Sequence, residues 1–339
     1  MTASDKTALV TGAAGFVGHA LTHRLIEEGW TVVGFDAVTD YYDPALKRAR
    51  LARLHNRPEF SLVEEKLETP GALTSVFEER SPNLVVHLAA QAGVRYSIDS
   101  PESYVEANLV GTFRLLEAAR ANPPAHMMMA STSSVYGANT NMPYAETHKA
   151  DSQMSFYAAT KKANEAMAHS YAHLYDVPIT MFRFFTVYGP WGRPDMALFK
   201  FTKAALAGEP IDVYNEGKMQ RDFTYVDDLV HGLTKLADIP PARPAGAVEQ
   251  GDSLSEVAPF RIINLGNSEP VGLMQFIEAI ETALGRPIEK RMLPMQPGDV
   301  PATWADTSLA ERLIGPLPRT SIEDGVQRFV DWYRDHYGA

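Results

Sequence analysis

Short runs of β-branched and aliphatic residues alternate along this chain with longer stretches in which apolar residues recur every three to four positions. The first run is Thr7 to Thr11. A helical pattern from Phe16 to Glu28 follows it and is ended by Gly29, and a second run spans Thr31 to Asp36. These three segments predict a βαβ unit. Further strands are predicted at Phe60 to Val63, Leu84 to Ala89, His126 to Ala130 and Ile179 to Phe184, separated by helical stretches near 44–56, 70–80, 101–121 and 153–175. Such alternation predicts an α/β fold, a doubly wound parallel sheet of the Rossmann type with helices on both faces. After residue 186 the rhythm breaks into shorter elements, and Ile239 to Pro259 reads as a Pro- and Gly-rich surface insertion. The expected organisation is a dinucleotide-type domain over 1–186, with later segments at about 220–265 returning to it, and a smaller α/β domain made mainly of 187–339.

Composition narrows the function. At 339 residues and 45% hydrophobic content the chain can bury a sizeable core. A formal net charge of -11 argues against nucleic acid or an anionic membrane surface as the main partner, and no apolar stretch approaches the length of a membrane span. The absence of Cys excludes thiolate chemistry and cysteine-held metals, and the 10 His show no ligand spacing, so no metal is expected. With a strand-like run beginning almost at once, the expected address is the cytoplasm. The charged stretches near 44–57 and 322–336 read as solvated helix faces, and Met127 to Met129 as buried strand packing.

Between the first strand and helix stands Thr11-Gly12-Ala13-Ala14-Gly15-Phe16-Val17-Gly18. Glycines at this spacing permit a tight turn and let backbone N–H groups approach a pyrophosphate at a helix N-terminus. Asp36 closes the second strand, where a carboxylate accepts both hydroxyls of a ribose and repels a 2′-phosphate. Neither Ala37 nor Val38 supplies an Arg to receive such a phosphate. The predicted cofactor is NAD.

Tyr157 and Lys161 lie four residues apart in a predicted helix, on one face, where an ammonium lowers a phenol's pKa toward neutrality. The spacing also occurs on ordinary helix surfaces. It gains meaning from company: the glycine turn, His87-Leu88-Ala89-Ala90, Asn108 in Asn108-Leu109-Val110-Gly111-Thr112, Ser131-Thr132-Ser133-Ser134-Val135-Tyr136-Gly137, and Tyr157-Ala158-Ala159-Thr160-Lys161 occur in that order. In this set the chain resembles the extended short-chain dehydrogenase/reductase family, specifically its nucleotide-sugar epimerases and dehydratases, over nearly its whole length.

The resemblance implies an NAD site at Gly12, Gly15, Phe16, Val17, Gly18, Asp36, Leu67, Leu88, Ala89, Ala90, Asn108, Tyr157, Lys161 and Phe184. At Leu67 the backbone N–H replaces a family Asp, and Lys66 is not expected to make a side-chain contact. It also implies a catalytic set of Thr132, Tyr157 and Lys161, with Thr132 on the sugar 4-hydroxyl. A UDP-sugar would meet Arg95, Thr132, Ser133, Ser134, Tyr157, Thr186, Arg193, Met196, Phe199 and Arg221, Arg221 being the diphosphate ligand. Helices near 101–121 and 153–175 correspond to an intersubunit four-helix bundle in the family, with Leu109, Phe113, Leu116, Ala168, Tyr171 and Ala172 as apolar contacts, which implies a homodimer.

Dehydratases of the family carry Thr-Asp-Glu and UDP-xylose-forming decarboxylases Thr-Ser-Glu where this chain has Thr132-Ser133-Ser134. Serines cannot easily donate and accept the protons of a dehydration, but they can hydrogen-bond a substrate carboxylate. Asp40 to Asp43, Ala92 to Ser97, Gly192 to Met196 and Met295 to Val300 further resemble UDP-glucuronate 4-epimerases. The implied reaction is C4 epimerisation of UDP-glucuronate to UDP-galacturonate through a 4-keto intermediate with NAD recycled. UDP-glucuronate decarboxylation, UDP-galactose epimerisation and non-catalytic NAD sensing stand as alternatives.

Overall fold

Seven strands that the alternating pattern separates in sequence lie side by side in one parallel sheet. The computed structural model describes residues 6–296 and 300–338. The strands are β1 (Thr7–Thr11), β2 (Thr31–Phe35), β3 (Phe60–Val63), β4 (Leu84–His87), β5 (His126–Thr132), β6 (Ile179–Phe184), β7 (Thr186–Tyr188), β8 (Ile211–Tyr214), β9 (Gln220–Tyr225), β10 (Phe260–Leu265), β11 (Pro270–Gly272), β12 (Lys290–Leu293) and β13 (Ala302–Thr303). The large sheet runs β10-β6-β5-β4-β1-β2-β3. Every residue of β4 and β5 is buried, including Met127, Met128 and Met129, as a sheet covered on both faces requires. Each such aliphatic or thioether side chain contributes about 1.5–3 kcal/mol by leaving water.

Strand order reverses beside β1, which pairs with β2 on one side and β4 on the other, so their connections depart to opposite faces and leave a crevice at the carboxyl ends. Helix α1 (Phe16–Glu27) leaves from β1 with Gly15 as N-cap. Helix α2 (Pro44–His55) starts where Asp43 accepts from the Ala45 N–H at 2.9 Å, with Pro44 in the first turn. The predicted 101–121 helix is continuous but widens into a π-helical turn at Val105–Val110, a wider coil that often marks a functional site. The helix Phe156–Tyr175 begins at residue 156 rather than 153, because Ser155 caps it by accepting from the Ala158 N–H at 3.1 Å.

A smaller layer is built from β7, β9, β11 and β13 and from the β8/β12 pair, covered by the helices Ala197–Ala207, Leu273–Leu284 and Ile322–Tyr337. Strand β9 belongs to this layer. The chain returns to the large sheet with the helix Val226–Ala237, which packs on α1, and with β10 beside β6. Of the stretch at about 220–265, β9 pairs within the smaller layer, and Val226–Ala237 and β10 pack with the large sheet. β9 runs straight into that helix, so no loop marks the change of layer.

Candidate active site

A cavity of about 330 Å³ opens where the strand order reverses, and its wall is drawn from the ends of successive strands: the glycine turn after β1, Asp36 after β2, Leu88 to Ala90 after β4, Thr132 ending β5 and Phe184 ending β6. Glu65 to Glu68, Tyr157, Lys161, Arg193 and Met196 complete the parts that bear on chemistry.

The turn is built for a ligand that lies against backbone. Gly12 holds φ +78°, and a Cβ there would stand 2.8 Å from the Ala89 nitrogen; a Cβ on Gly18 would collide with the Gly12 carbonyl. The turn is fixed by Gly12 N–H donating to Phe35 O at 2.7 Å and Gly15 N–H to Gly12 O at 2.9 Å. Asp36 accepts from Ala14 N–H at 2.9 Å with one carboxylate oxygen and from Val38 N–H at 2.8 Å with the other. Each oxygen keeps a second lone pair, enough for two vicinal hydroxyls. A turn whose three glycines leave no room for a Cβ, set at a helix N-terminus and followed by an oriented carboxylate, fits a dinucleotide.

His87 is held structurally. Its Nδ1 lies 2.7 Å from Thr11 Oγ1 and its Nε2 3.2 Å from Thr112 Oγ1, and burial first, then the Lys161 charge, lowers its pKa to about 3. Neutral at physiological pH, it ties β1 and β4 to the helix behind them.

Tyr157 and Lys161 share one face of the Phe156–Tyr175 helix and both line the cavity. The helix cannot slide. Glu165, one turn further on, accepts from Arg183 Nε at 2.9 Å and Nη2 at 2.9 Å and from Ser131 Oγ at 2.7 Å, which pins it to β5 and β6. Burial raises the Tyr157 phenol above its ordinary value; the Arg193 charge and a hydrogen bond from Thr132 act against that rise. Lys161 stands one helical turn from Tyr157 in the same cavity wall. Lys161 is itself 2% exposed, and burial lowers it to about 8, with Glu165 pulling it back up. Thr132 accepts from Ser134 N–H at 3.2 Å, so the hydroxyl beside Tyr157 is positioned by the turn that carries the two serines.

Several predicted site residues lie elsewhere. Asn108 is 1% exposed and does not line the cavity. Its amide oxygen accepts from Gln91 N–H at 2.8 Å, and its nitrogen donates to Gln91 O at 3.0 Å and Thr160 Oγ1 at 3.0 Å, so it fixes the segment that does line the cavity. Phe199 is buried in the smaller layer against Phe329 and Tyr333, at 6.0 and 5.1 Å between ring centres. Arg221 donates to Val300 O at 2.8 Å and Pro301 O at 3.2 Å. Arg95 stands over the Tyr214 ring at 5.1 Å. Ser133, Ser134 and Thr186 are half-buried beside this cavity without lining it. Of the stretch from Met295 to Val300, Pro297, Gly298 and Asp299 lie outside the described residues.

The sequence reading missed Lys47, Tyr41, Tyr42 and Gln91, all of which line the cavity. Lys47, 7% exposed, donates to Thr39 O at 2.7 Å and Thr39 Oγ1 at 3.0 Å and stands over the Tyr42 ring at 4.7 Å. The expectation of a solvated helix face over 44–57 fails for Lys47 and Arg50. The available signal was the Tyr41-Tyr42 pair just before α2, which gives long basic side chains a surface to bury against.

Residues 8–248 match the model of the NAD dependent epimerase/dehydratase family. A probable UDP-glucuronate 4-epimerase of Rhizobium meliloti (strain 1021) is 55% identical, over 97% of this chain and 97% of the relative. UDP-glucuronate 4-epimerase 4 of Arabidopsis thaliana is 45% identical, over 98% of this chain and 76% of its own. The crystal structure of the UDP-glucuronic acid 4-epimerase from Bacillus cereus, in complex with UDP-glucuronic acid and NAD, superposes with a TM-score of 0.87 at 31% identity, covering 98% of this chain and 100% of that one. With the glycine cradle, Asp36 and the Tyr157/Lys161 helix assembled around one cavity, this chain belongs to the NAD dependent epimerase/dehydratase family.

Proposed function

We infer that the chain is an NAD-dependent UDP-glucuronate 4-epimerase. The observation that carries this reading is that one cavity joins the dinucleotide cradle to Thr132, Tyr157 and Lys161, while the two residues after Thr132 are serines and no acid stands there. The relatives named for UDP-glucuronate support it.

In this reading Tyr157, as phenolate, takes the proton of the sugar 4-hydroxyl, and Thr132 hydrogen-bonds the same oxygen. The Gly12–Gly18 turn and Asp36 would hold NAD, which when bound would supply the hydride acceptor at C4 and return the same hydride. The C4–H bond breaks as the C4 carbonyl forms, so the sugar becomes a 4-keto uronic acid. Such a β-keto acid loses carbon dioxide when the C5–C6 bond aligns with the carbonyl π system. Ser133, Ser134 and Thr186 are assigned to the carboxylate, holding that bond out of alignment while the ring turns over. Arg193 and Met196, both in the cavity wall, are assigned to the nucleotide sugar, and Arg221 to the diphosphate. Asn108 and Phe199 act by positioning other segments. We draw the dinucleotide domain through β6, with Val226–Ala237 and β10 returning to it, and assign the remainder mainly to the sugar nucleotide.

Purified protein given UDP-glucuronate without added NAD is expected to yield UDP-galacturonate, separated by anion-exchange chromatography. Accumulation of UDP-xylose or its 4-keto relative instead would refute epimerisation, and no turnover despite bound NAD would favour a sensor.

The assembly proposed is a homodimer through helices near 101–121 and 156–175. Leu116, Ala168 and Ala172, expected at that interface, are buried within the chain itself at 1%, 0% and 0% exposure. The same helices leave Val105, Val110, Phe113 and Leu174 exposed at 38%, 37%, 39% and 62%, the unpartnered apolar surface that an interface consumes. Light scattering is expected to give twice the 37.4 kDa chain mass, and Phe113→Glu is expected to lower it toward one chain. A wild-type mass of one chain would remove the dimer.

A further inference from the structure

Arg50, on the helix α2 whose charges read as solvent-facing, is 0% exposed and among the largest fully buried side chains. All five of its N–H donors are engaged. Nε donates to Trp191 O at 3.1 Å, Nη1 to Ala14 O at 3.0 Å and Tyr42 Oη at 2.6 Å, and Nη2 to Trp191 O at 2.6 Å and Gly192 O at 3.2 Å. Every acceptor among the described residues is a carbonyl or a hydroxyl, so the buried charge is balanced by oriented dipoles and not by a carboxylate. Fully burying a guanidinium is costly, and a complete set of acceptors is what makes it tolerable.

The acceptors belong to two different parts of the molecule. Ala14 lies in the glycine turn of the dinucleotide cradle, whereas Trp191 and Gly192 lead directly into Arg193, which reaches the cavity wall. An independent observation marks the same loop. Trp191 holds φ +63°, a left-handed conformation that a bulky residue adopts only when its surroundings impose it. Two of Arg50's donors converge on the carbonyl of that residue, and its ring is packed by Arg53 at 5.0 Å, His19 at 5.9 Å and Trp332 at 5.2 Å. Beyond it, Arg193 is aimed by a bidentate pair with Asp195, at 3.0 and 2.6 Å.

We propose that Arg50 is a positioning residue that ties the glycine turn to the strained Trp191–Gly192 loop and thereby sets Arg193 for the sugar nucleotide. It fixes the sugar-side loop to the cofactor cradle, so that both ligands meet a single rigid frame. The proposal rests on the assignment of Arg193 to the nucleotide sugar made above.

Arg50→Lys keeps the charge and removes the fork. It is expected to weaken UDP-glucuronate binding, read as KM and by titration calorimetry as Kd, by about tenfold, with any fall in kcat no larger than that of Arg193→Ala. The distinguishing readout is a double-mutant cycle. Arg193→Ala alone weakens binding, and Arg50→Lys in that background weakens it no further, because the group through which Arg50 acts has gone. Tyr42→Phe, which removes one acceptor with little risk to folding, is expected to act in the same direction by about threefold and also to lose its effect beside Arg193→Ala. These two variants test the proposal even if Arg50→Lys is not recovered folded. Fully additive losses, or a lowered Tm with unchanged Kd in both Arg50→Lys and Tyr42→Phe, would overturn it. So would unchanged binding in Arg193→Ala. Failure of wild-type turnover counts against the proposed activity alone, because calorimetry reads the cycle without turnover.

Discussion

Tyr157→Phe is expected to lower kcat by about 10³-fold or more while UDP-glucuronate and NAD remain bound. The substitution removes one oxygen from a ring that packs edge-on against Tyr104 at 6.0 Å, so the cavity wall keeps its shape. What disappears is the proton acceptor for the 4-hydroxyl. Without it the C4 oxygen would have to keep its proton as the carbonyl forms, giving a cation where the enzyme gives a neutral ketone. The residual hydroxyl there, Thr132, has an ordinary alcohol acidity and sits in a hydrogen bond with the Ser134 backbone. Single-turnover measurement of nicotinamide absorbance, with substrate saturating, checks the loss at the chemical step. A rate within tenfold of wild type would remove Tyr157 from the base role, and a large rise in KM without a fall in kcat would make it a binding group.

The electrostatics around that tyrosine include a group that helix spacing does not reveal. Spacing of four on a helix guarantees a shared face, and Tyr157 and Lys161 do share the cavity. It does not say which cations from elsewhere in the chain act on the phenol. Against the rise caused by burial, the Arg193 charge favours ionisation from a loop 36 positions away in sequence, and only the folded chain brings it there. The same distinction separates what was legible elsewhere. The glycine turn, Asp36 and the strand ends were readable because each is a local pattern whose geometry follows from adjacent residues. Asn108 stayed open between a site role and a structural pin, since an amide at that position reaches either the cavity or the backbone of Gln91, and the choice depends on the path of a distant segment. Arg50 and Lys47 were read as solvated because helix α2 is rich in basic residues. Burial there is imposed by Tyr42 and by the Trp191–Gly192 loop, which no local pattern of α2 reveals.

Lys161→Met is expected to separate function from stability, lowering kcat at pH 7 by about 100-fold while raising Tm by roughly 3–5 °C. The ammonium is 2% exposed, and burial outweighs the attraction of Glu165, so its pKa falls from an ordinary 10.5 to about 8. A depressed lysine pKa penalises the folded state whenever both states are protonated, on the order of 3 kcal/mol here. The penalty is therefore complete below pH 8 and fades as pH rises from 8 to 10.5, where the folded chain has released a proton that the unfolded chain still holds. Met is of similar length and carries no charge, so it removes the penalty, and the gap in Tm between the variant and the wild type should narrow across that window. Activity moves the other way because the cavity loses a cation and hydrogen-bond donor one helical turn from Tyr157. A variant that is less stable than wild type at pH 7 would show that the ammonium is held by contacts stronger than its burial cost. One with undiminished kcat would leave Lys161 a packing residue and shift the task of favouring the phenolate onto Arg193.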